Sequence, residues 1–114
     1  GVDLFDCVAP SRMGRDGTAF TPDGTVQARR GSFRFDRRPL VEGCPCEACT
    51  HYDRAFLRHL FVAHEPLGPR LLALHNVTFV LELMREAREQ LAAGTFGSWH
   101  AAWLARYREN TPAV

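Results

Sequence analysis

Three cysteines stand within six residues at Cys44, Cys46 and Cys49, in the pattern C-x-C-x2-C. Thiolates this close along the chain can converge on one ion, because Gly43 and Pro45 let the loop fold around it. Disulfides are the alternative, but neighbours at this spacing make strained pairs, and one of the three would have to reach distant Cys7. Zinc is the metal that suits such a sulfur-rich set. Three sulfurs leave one tetrahedral position, for which His51, His59, His64, His75 and His100 all qualify by residue type, and spacing does not choose among them. His51 is crowded against Cys49, whereas His75, at the start of the strongest helical pattern, would close a long loop around the ion. A Cys3His set has no open position for water, so the ion is structural, one per chain, and chemistry has to be sought elsewhere.

The other residues of chemical interest lie in the opening stretch, "VDLFDCVAPSRMGR". Val2 to Val8 read as a short buried strand ended by Pro10, with Asp6 near its carboxyl end and Cys7 on the opposite face, in the core. By itself a strand-end aspartate is ordinarily a turn cap or an ion-pair partner. All fourteen basic residues of the chain are arginine, and seven of them, Arg12, Arg15, Arg29, Arg30, Arg34, Arg37 and Arg38, fall between residues 12 and 38 against three aspartates. Two readings fit that window: a solvated arginine-rich face, or a phosphate-binding surface, since the planar guanidinium fork suits phosphate and stacks on bases.

These residues need elements to hold them. Pro22-Asp23-Gly24 between two strand-like runs marks a β-hairpin over roughly Thr18 to Arg29. Phe33, Phe35 and Leu40 around Pro39 fit a third, irregular strand. Thr50 with Asp53 three residues later resembles a capping box, opening a helix whose apolar face is Phe56, Leu57, Leu60 and Phe61 and which Glu65-Pro66-Leu67-Gly68-Pro69 stops. Val77, Val80, Leu81, Met84, Ala87 and Leu91 form the buried stripe of a second helix, with Gly94 as its C-cap. Phe96, Trp99, Trp103 and Tyr107 give a final helix an aromatic stripe for packing.

A chain of 114 residues with 46% hydrophobic and 24% charged residues is one small globular domain or a piece of a larger protein. No apolar run approaches a membrane span and no signal peptide is evident, so a cytoplasmic location is expected. The start on "GVDLFD", without methionine, is expected of a segment from within a longer protein.

Taken in order, "GVDLFDCVAPSR", "CPCEAC" and the "HN" pair at 75 and 76, with the histidine 26 residues after the last cysteine, resemble the bacterial tRNA-guanine transglycosylase family of queuosine biosynthesis. The resemblance covers essentially the whole chain. It implies an α/β fold: the C-terminal portion of a (β/α)8 TIM barrel, with residues 1–10 the last barrel strand and catalytic loop, 11–75 an inserted α+β zinc-binding subdomain, and 76–114 the last barrel helix and a C-terminal helix. Functional residues of such barrels sit at the carboxyl ends of strands, which is where Asp6 falls. The resemblance further implies Asp6 as covalent nucleophile and Ser11, Arg12, Met13, Gly14 and Arg15 as contacts to the tRNA anticodon loop. It selects Cys44, Cys46, Cys49 and His75 as ligands of one structural zinc ion. The implied activity is pentosyl transfer on tRNA, exchanging the wobble guanine of GUN anticodons for 7-aminomethyl-7-deazaguanine, by a homodimeric enzyme.

Two other readings stand beside it. One is a zinc-stabilised module that holds RNA or a partner protein without catalysis, which is what the isolated chain is expected to be, since the resemblance places a general acid/base aspartate in the remainder of the barrel. The other is the archaeal, archaeosine-type branch; the compact ending favours the bacterial type.

Overall fold

Thr21, Pro22, Asp23 and Gly24 build a tight turn. The Thr21 hydroxyl donates to the Gly24 carbonyl at 2.7 Å and accepts from the Asp23 N–H at 3.1 Å, while Gly24 takes a φ of +100° that other residues resist. The turn fixes β1 (Thr18–Thr21) against β2 (Gly24–Gln27), antiparallel, in the register Thr18↔Gln27, Ala19↔Val26, Phe20↔Thr25, Thr21↔Gly24. The hairpin is thus where the sequence places it.

The structure is a computed structural model and describes residues 1–110; residues 111–114 of the expected C-terminal segment lie outside the described residues. Ahead of the hairpin runs α1 (Ala9–Arg15); after it come a single 3-10 turn at Gly31–Phe33, α2 (Glu47–His51), α3 (Arg54–Val62), α4 (Leu67–Ala93) and α5 (Phe96–Asn110). The result is a helix-rich α+β unit whose two described strands pair only with each other. No helix among the described residues is long and apolar enough to cross a membrane.

Several expectations are corrected. Among the described residues, 1–8 form no strand, and all eight are exposed, Cys7 included. A strand persists only where a neighbour pairs with its N–H and C=O groups, and the described residues offer none here. Residues 34–40 are irregular as well. Their carbonyls are taken by Arg54, whose backbone N–H donates to the Arg38 oxygen while its guanidinium donates to those of Pro39 and Leu40. The cap of α3 is Asp53, accepting from the Phe56 N–H at 2.8 Å, and the Thr50 hydroxyl instead donates to the Cys46 carbonyl.

The Pro66 region does not hold two helices apart by a long linker. Pro66 caps α4 and Pro69 sits in its first turn, where a missing N–H is no loss. The helix expected from about Asn76 therefore begins at Leu67, and His75 lies in its third turn. The buried stripe of α4 is Gly68, Leu71, Leu72, His75 and Asn76, packed with Leu57, Leu60 and Phe61 of α3, Ala19, Ala28, Leu40 and Ala48. Of the stripe expected downstream, Val77, Leu81, Met84 and Leu91 are exposed and Val80 and Ala87 half-buried, with Leu81 63% and Leu91 61% exposed.

Gly94 ends α4 in the left-handed region at φ +74°, as expected. On α5 the aromatic stripe is packing: Trp103 meets Phe79 at 6.4 Å and stacks on Tyr107 at 5.1 Å, and Phe79 in turn meets Phe20 of the hairpin at 5.9 Å. Arg106 of α5 grips Asp23 at the hairpin tip and holds its carboxyl below the usual value.

Candidate metal centre

Two elements bring the cysteines together. Gly43, at φ +79°, turns the chain into the loop, and Cys46 then caps α2, its Sγ accepting from the Cys49 N–H at 3.4 Å. One helical turn places Cys49 beside Cys46, and α4 supplies His75 from the other side. The four ligand atoms of Cys44, Cys46, Cys49 and His75 all lie within 4.8 Å of one another. His75 Nδ1 is 3.7 Å from Cys44 Sγ and 3.4 Å from the sulfurs of both Cys46 and Cys49. Tetrahedral zinc, with Zn–S of about 2.3 Å and Zn–N of about 2.0 Å, spaces its nitrogen and sulfur ligands about 3.6 Å apart. These separations are therefore edges of a coordination tetrahedron, and the residues fit a structural zinc ion.

The ring orientation fits too. His75 is fully buried, and its Nε2 lies 2.8 Å from the Phe20 carbonyl oxygen, so Nε2–H donates there and Nδ1 is the nitrogen turned toward the sulfurs. Without an ion the cluster holds protons it would rather share. Burial disfavours the imidazolium of His75, but the thiol groups of Cys44 and Cys46 outweigh it and raise its pKa to about 9. Cys44, accepting from its sulfur neighbours, is pulled well below the usual thiol value, and Cys49, crowded by that charge, is pushed well above it. A divalent cation resolves the conflict by replacing the protons. His51, His59, His64 and His100 lie outside the cluster.

The first residues of the chain stand apart from this centre. Asp6 is exposed in the segment before α1 and is not among the clustered ligands. The helix α1 follows directly, its first turn closed by the Arg12 N–H on the Val8 carbonyl at 3.0 Å and by the Ser11 hydroxyl on the same oxygen at 3.3 Å. Arg12 and Arg15 point into solvent, and among the described residues neither guanidinium has a hydrogen-bond or ion-pair partner. Met13 is half-buried. Gly14 faces inward: a Cβ there would lie 2.7 Å from the Ala73 nitrogen of α4, so its absent side chain lets the two helices touch. The rest of the arginine window is largely engaged in structure, with Arg37 paired to Asp53, Arg38 to Asp36, and Arg29 placed 5.0 Å over the Phe61 ring.

Two residues that shape the site have no role assigned in the sequence reading, although Asn76 stands in the "HN" pair. Asn76, fully buried next to His75, hydrogen-bonds to both the hairpin and α1. Arg54 ties the loop ahead of the cysteines to α3 and packs 4.9 Å over the Phe33 ring. A carboxamide in the middle of a helix, directly after a ligand, was the available signal for the first.

A Cys3His zinc-binding α+β unit with two exposed, unpaired arginines on its first helix and an exposed aspartate ahead of that helix defines the class. The family described as Queuine tRNA-ribosyltransferase matches residues 1–109, and the chain belongs to that family. The queuine tRNA-ribosyltransferase of Symbiobacterium thermophilum is 50% identical over 107 residues, covering 94% of this chain and 27% of the relative. Its counterpart in Solidesulfovibrio magneticus is 46% identical over 109 residues, covering 96% of this chain and 29% of the relative. That of Gluconacetobacter diazotrophicus is 50% identical over 104 residues, covering 91% and 27%. The chain thus spans less than a third of the length of these curated relatives.

Proposed function

We propose that the chain is the carboxyl-terminal part of a tRNA-guanine transglycosylase that exchanges the wobble guanine of GUN-anticodon tRNAs for 7-aminomethyl-7-deazaguanine. The observation that carries the reading is that one family match runs over residues 1–109, so Asp6, the arginines of α1 and the Cys3His centre fall in a single matched segment. In the intact protein, Val2 to Asp6 complete a (β/α)8 barrel as its last strand and α4 is its last helix. Val2, Leu4, Phe5 and Val8 are exposed here, as are Leu81, Met84 and Leu91 on α4, and such apolar surface is what the remaining barrel would cover.

The chemistry assigned to Asp6 is nucleophilic. Its carboxylate attacks C1′ of the wobble nucleotide as the C1′–N9 bond breaks; guanine leaves with the bonding pair and takes a proton from an acid elsewhere in the intact protein. The incoming base then attacks C1′ from the original face, expels the carboxylate and gives up its N9 proton. Two inversions give net retention. Anticodon-loop bases leave their stack more cheaply than duplex bases, which suits a buried pocket. Arg12 and Arg15, exposed and unpaired, supply phosphate and base-stacking contacts on the RNA. The enzyme acts in the cytoplasm as a homodimer, and the zinc ion only holds the subdomain in shape.

The unpaired, exposed setting of Asp6 favours a second reading for the chain by itself, as a module that binds RNA without catalysis. Both are tested by labelled guanine exchange into tRNA. The full-length protein exchanges it only at a wobble guanine and the 114-residue chain does not; no exchange by the full-length protein would refute the proposal.

A further inference from the structure

Asn76 follows the metal ligand His75 on α4 and, like it, is fully buried. All the hydrogen-bonding capacity that its carboxamide shows is directed at backbone. Oδ1 accepts from the Phe20 N–H at 2.9 Å, while Nδ2 donates to the Thr18 carbonyl at 2.9 Å and to the Pro10 carbonyl at 3.0 Å. Since His75 donates to the Phe20 carbonyl, two successive side chains of α4 grip both backbone groups of one hairpin residue. The second N–H of the same carboxamide reaches α1.

That helix has two anchors on α4. At one end, Pro10 is held by Asn76; at the other, Gly14 rests on the backbone of Leu72 and Ala73, where even a methyl group would collide. Arg12 and Arg15 project from the free side between and beyond these anchors. The Pro10 carbonyl is also four residues past Asp6, so the bond fixes where the aspartate-bearing segment leaves the subdomain.

We infer that Asn76 is a positioning residue that couples the ordered metal centre to the seat of α1, and hence to the direction in which Arg12 and Arg15 meet RNA. The inference rests on the RNA role proposed above for those arginines. The physical route is short: an ion on Nδ1 fixes the imidazole, the imidazole fixes the Phe20 carbonyl, and Asn76 joins the Phe20 N–H to the first turn of α1. A carboxamide is required because the route needs one acceptor and two donors in a plane, a combination that neither aspartate nor an apolar residue supplies.

The test uses the zinc-loaded full-length enzyme and tRNA. Asn76→Asp keeps the shape and the acceptor for Phe20 but turns the donors into an oxygen facing two carbonyls. It is expected to retain one zinc ion per chain, to speed hydrogen exchange at the amides of residues 12–16, and to raise the tRNA dissociation constant about 10-fold. Combined with Arg12→Ala and Arg15→Ala, it should add nothing further to the loss of tRNA binding. Unchanged exchange and affinity in Asn76→Asp with zinc retained would overturn the inference, and so would fully additive losses. If Asn76→Asp does not keep its zinc, Gly14→Ala reads the same coupling from the other anchor: zinc retained with weaker tRNA binding is expected, and unaltered tRNA binding overturns it. Should Arg12→Ala and Arg15→Ala be silent for tRNA, the RNA role itself fails, and the exchange measurement, which involves no RNA, separates that outcome from a failure of the coupling.

Discussion

The Nε2 atom of His75 lies 2.8 Å from the carbonyl oxygen of Phe20, so the imidazole that faces the cysteine sulfurs is tied to the hairpin. Metal site and hairpin are one construction. Replacing His75 by alanine is therefore expected to abolish zinc retention and, with it, the cooperative unfolding of the subdomain, since structural zinc contributes on the order of 10 kcal/mol to such small units. Replacing His51, which is exposed and outside the cluster, leaves one ion per chain. Native mass spectrometry and urea unfolding of the two variants check this.

Zinc uptake should be steeply pH-dependent. In the ion-free cluster His75 keeps its proton up to about 9 and Cys49 is pushed well above the usual thiol value, so both are protonated at neutral pH and both protons must leave when the ion binds. Affinity then falls as pH falls, by about 100-fold per unit for two displaced protons. Titration calorimetry in buffers of different ionisation enthalpy at pH 7.5 should count at least about two protons released; none would show that the cluster is already deprotonated.

Gly14→Ala is expected to destabilise the zinc-loaded chain by about 2 kcal/mol, because its methyl group would press on backbone, which cannot rotate aside. Urea unfolding reads the change, and a loss near zero would mean that α1 is not seated on α4 as described.

His64 ends α3 in the left-handed region at φ +56°, with its own N–H on the Phe61 carbonyl and the Glu65 N–H on that of Leu60. That is a Schellman ending with a histidine where glycine is the unstrained choice. His64→Gly should therefore stabilise the chain by about 1 kcal/mol, offset in part by the more flexible unfolded state. A lower urea midpoint for the variant would contradict the assignment.

What could be read in advance depended on how local the cause was. The C-x-C-x2-C loop, the Pro22-Asp23-Gly24 turn and the Gly94 ending each act through neighbouring residues, and all are found where the sequence puts them. The choice of His75 over four other histidines depends on the packing of α4, which spacing does not show and only the family resemblance supplies. Residues 1–8 have strand composition, yet a strand is a property of a pair, and no partner lies among the described residues. The Pro66 and Pro69 region reads as a stop, although proline in a first turn is equally a start, so α4 gains nine residues and its buried face shifts toward His75 and Asn76. Gly14 fits a list of RNA contacts by position, whereas its packing against Ala73 becomes visible only in three dimensions.

The most direct test of the central claim is trapping of the covalent tRNA adduct with the full-length enzyme that contains this segment. Wild-type protein should carry tRNA bearing a wobble guanine through a denaturing gel. Asp6→Asn should give no adduct while still binding tRNA under native conditions. An adduct that persists in Asp6→Asn would contradict the account, because the bond to the ribose would then be made by another residue.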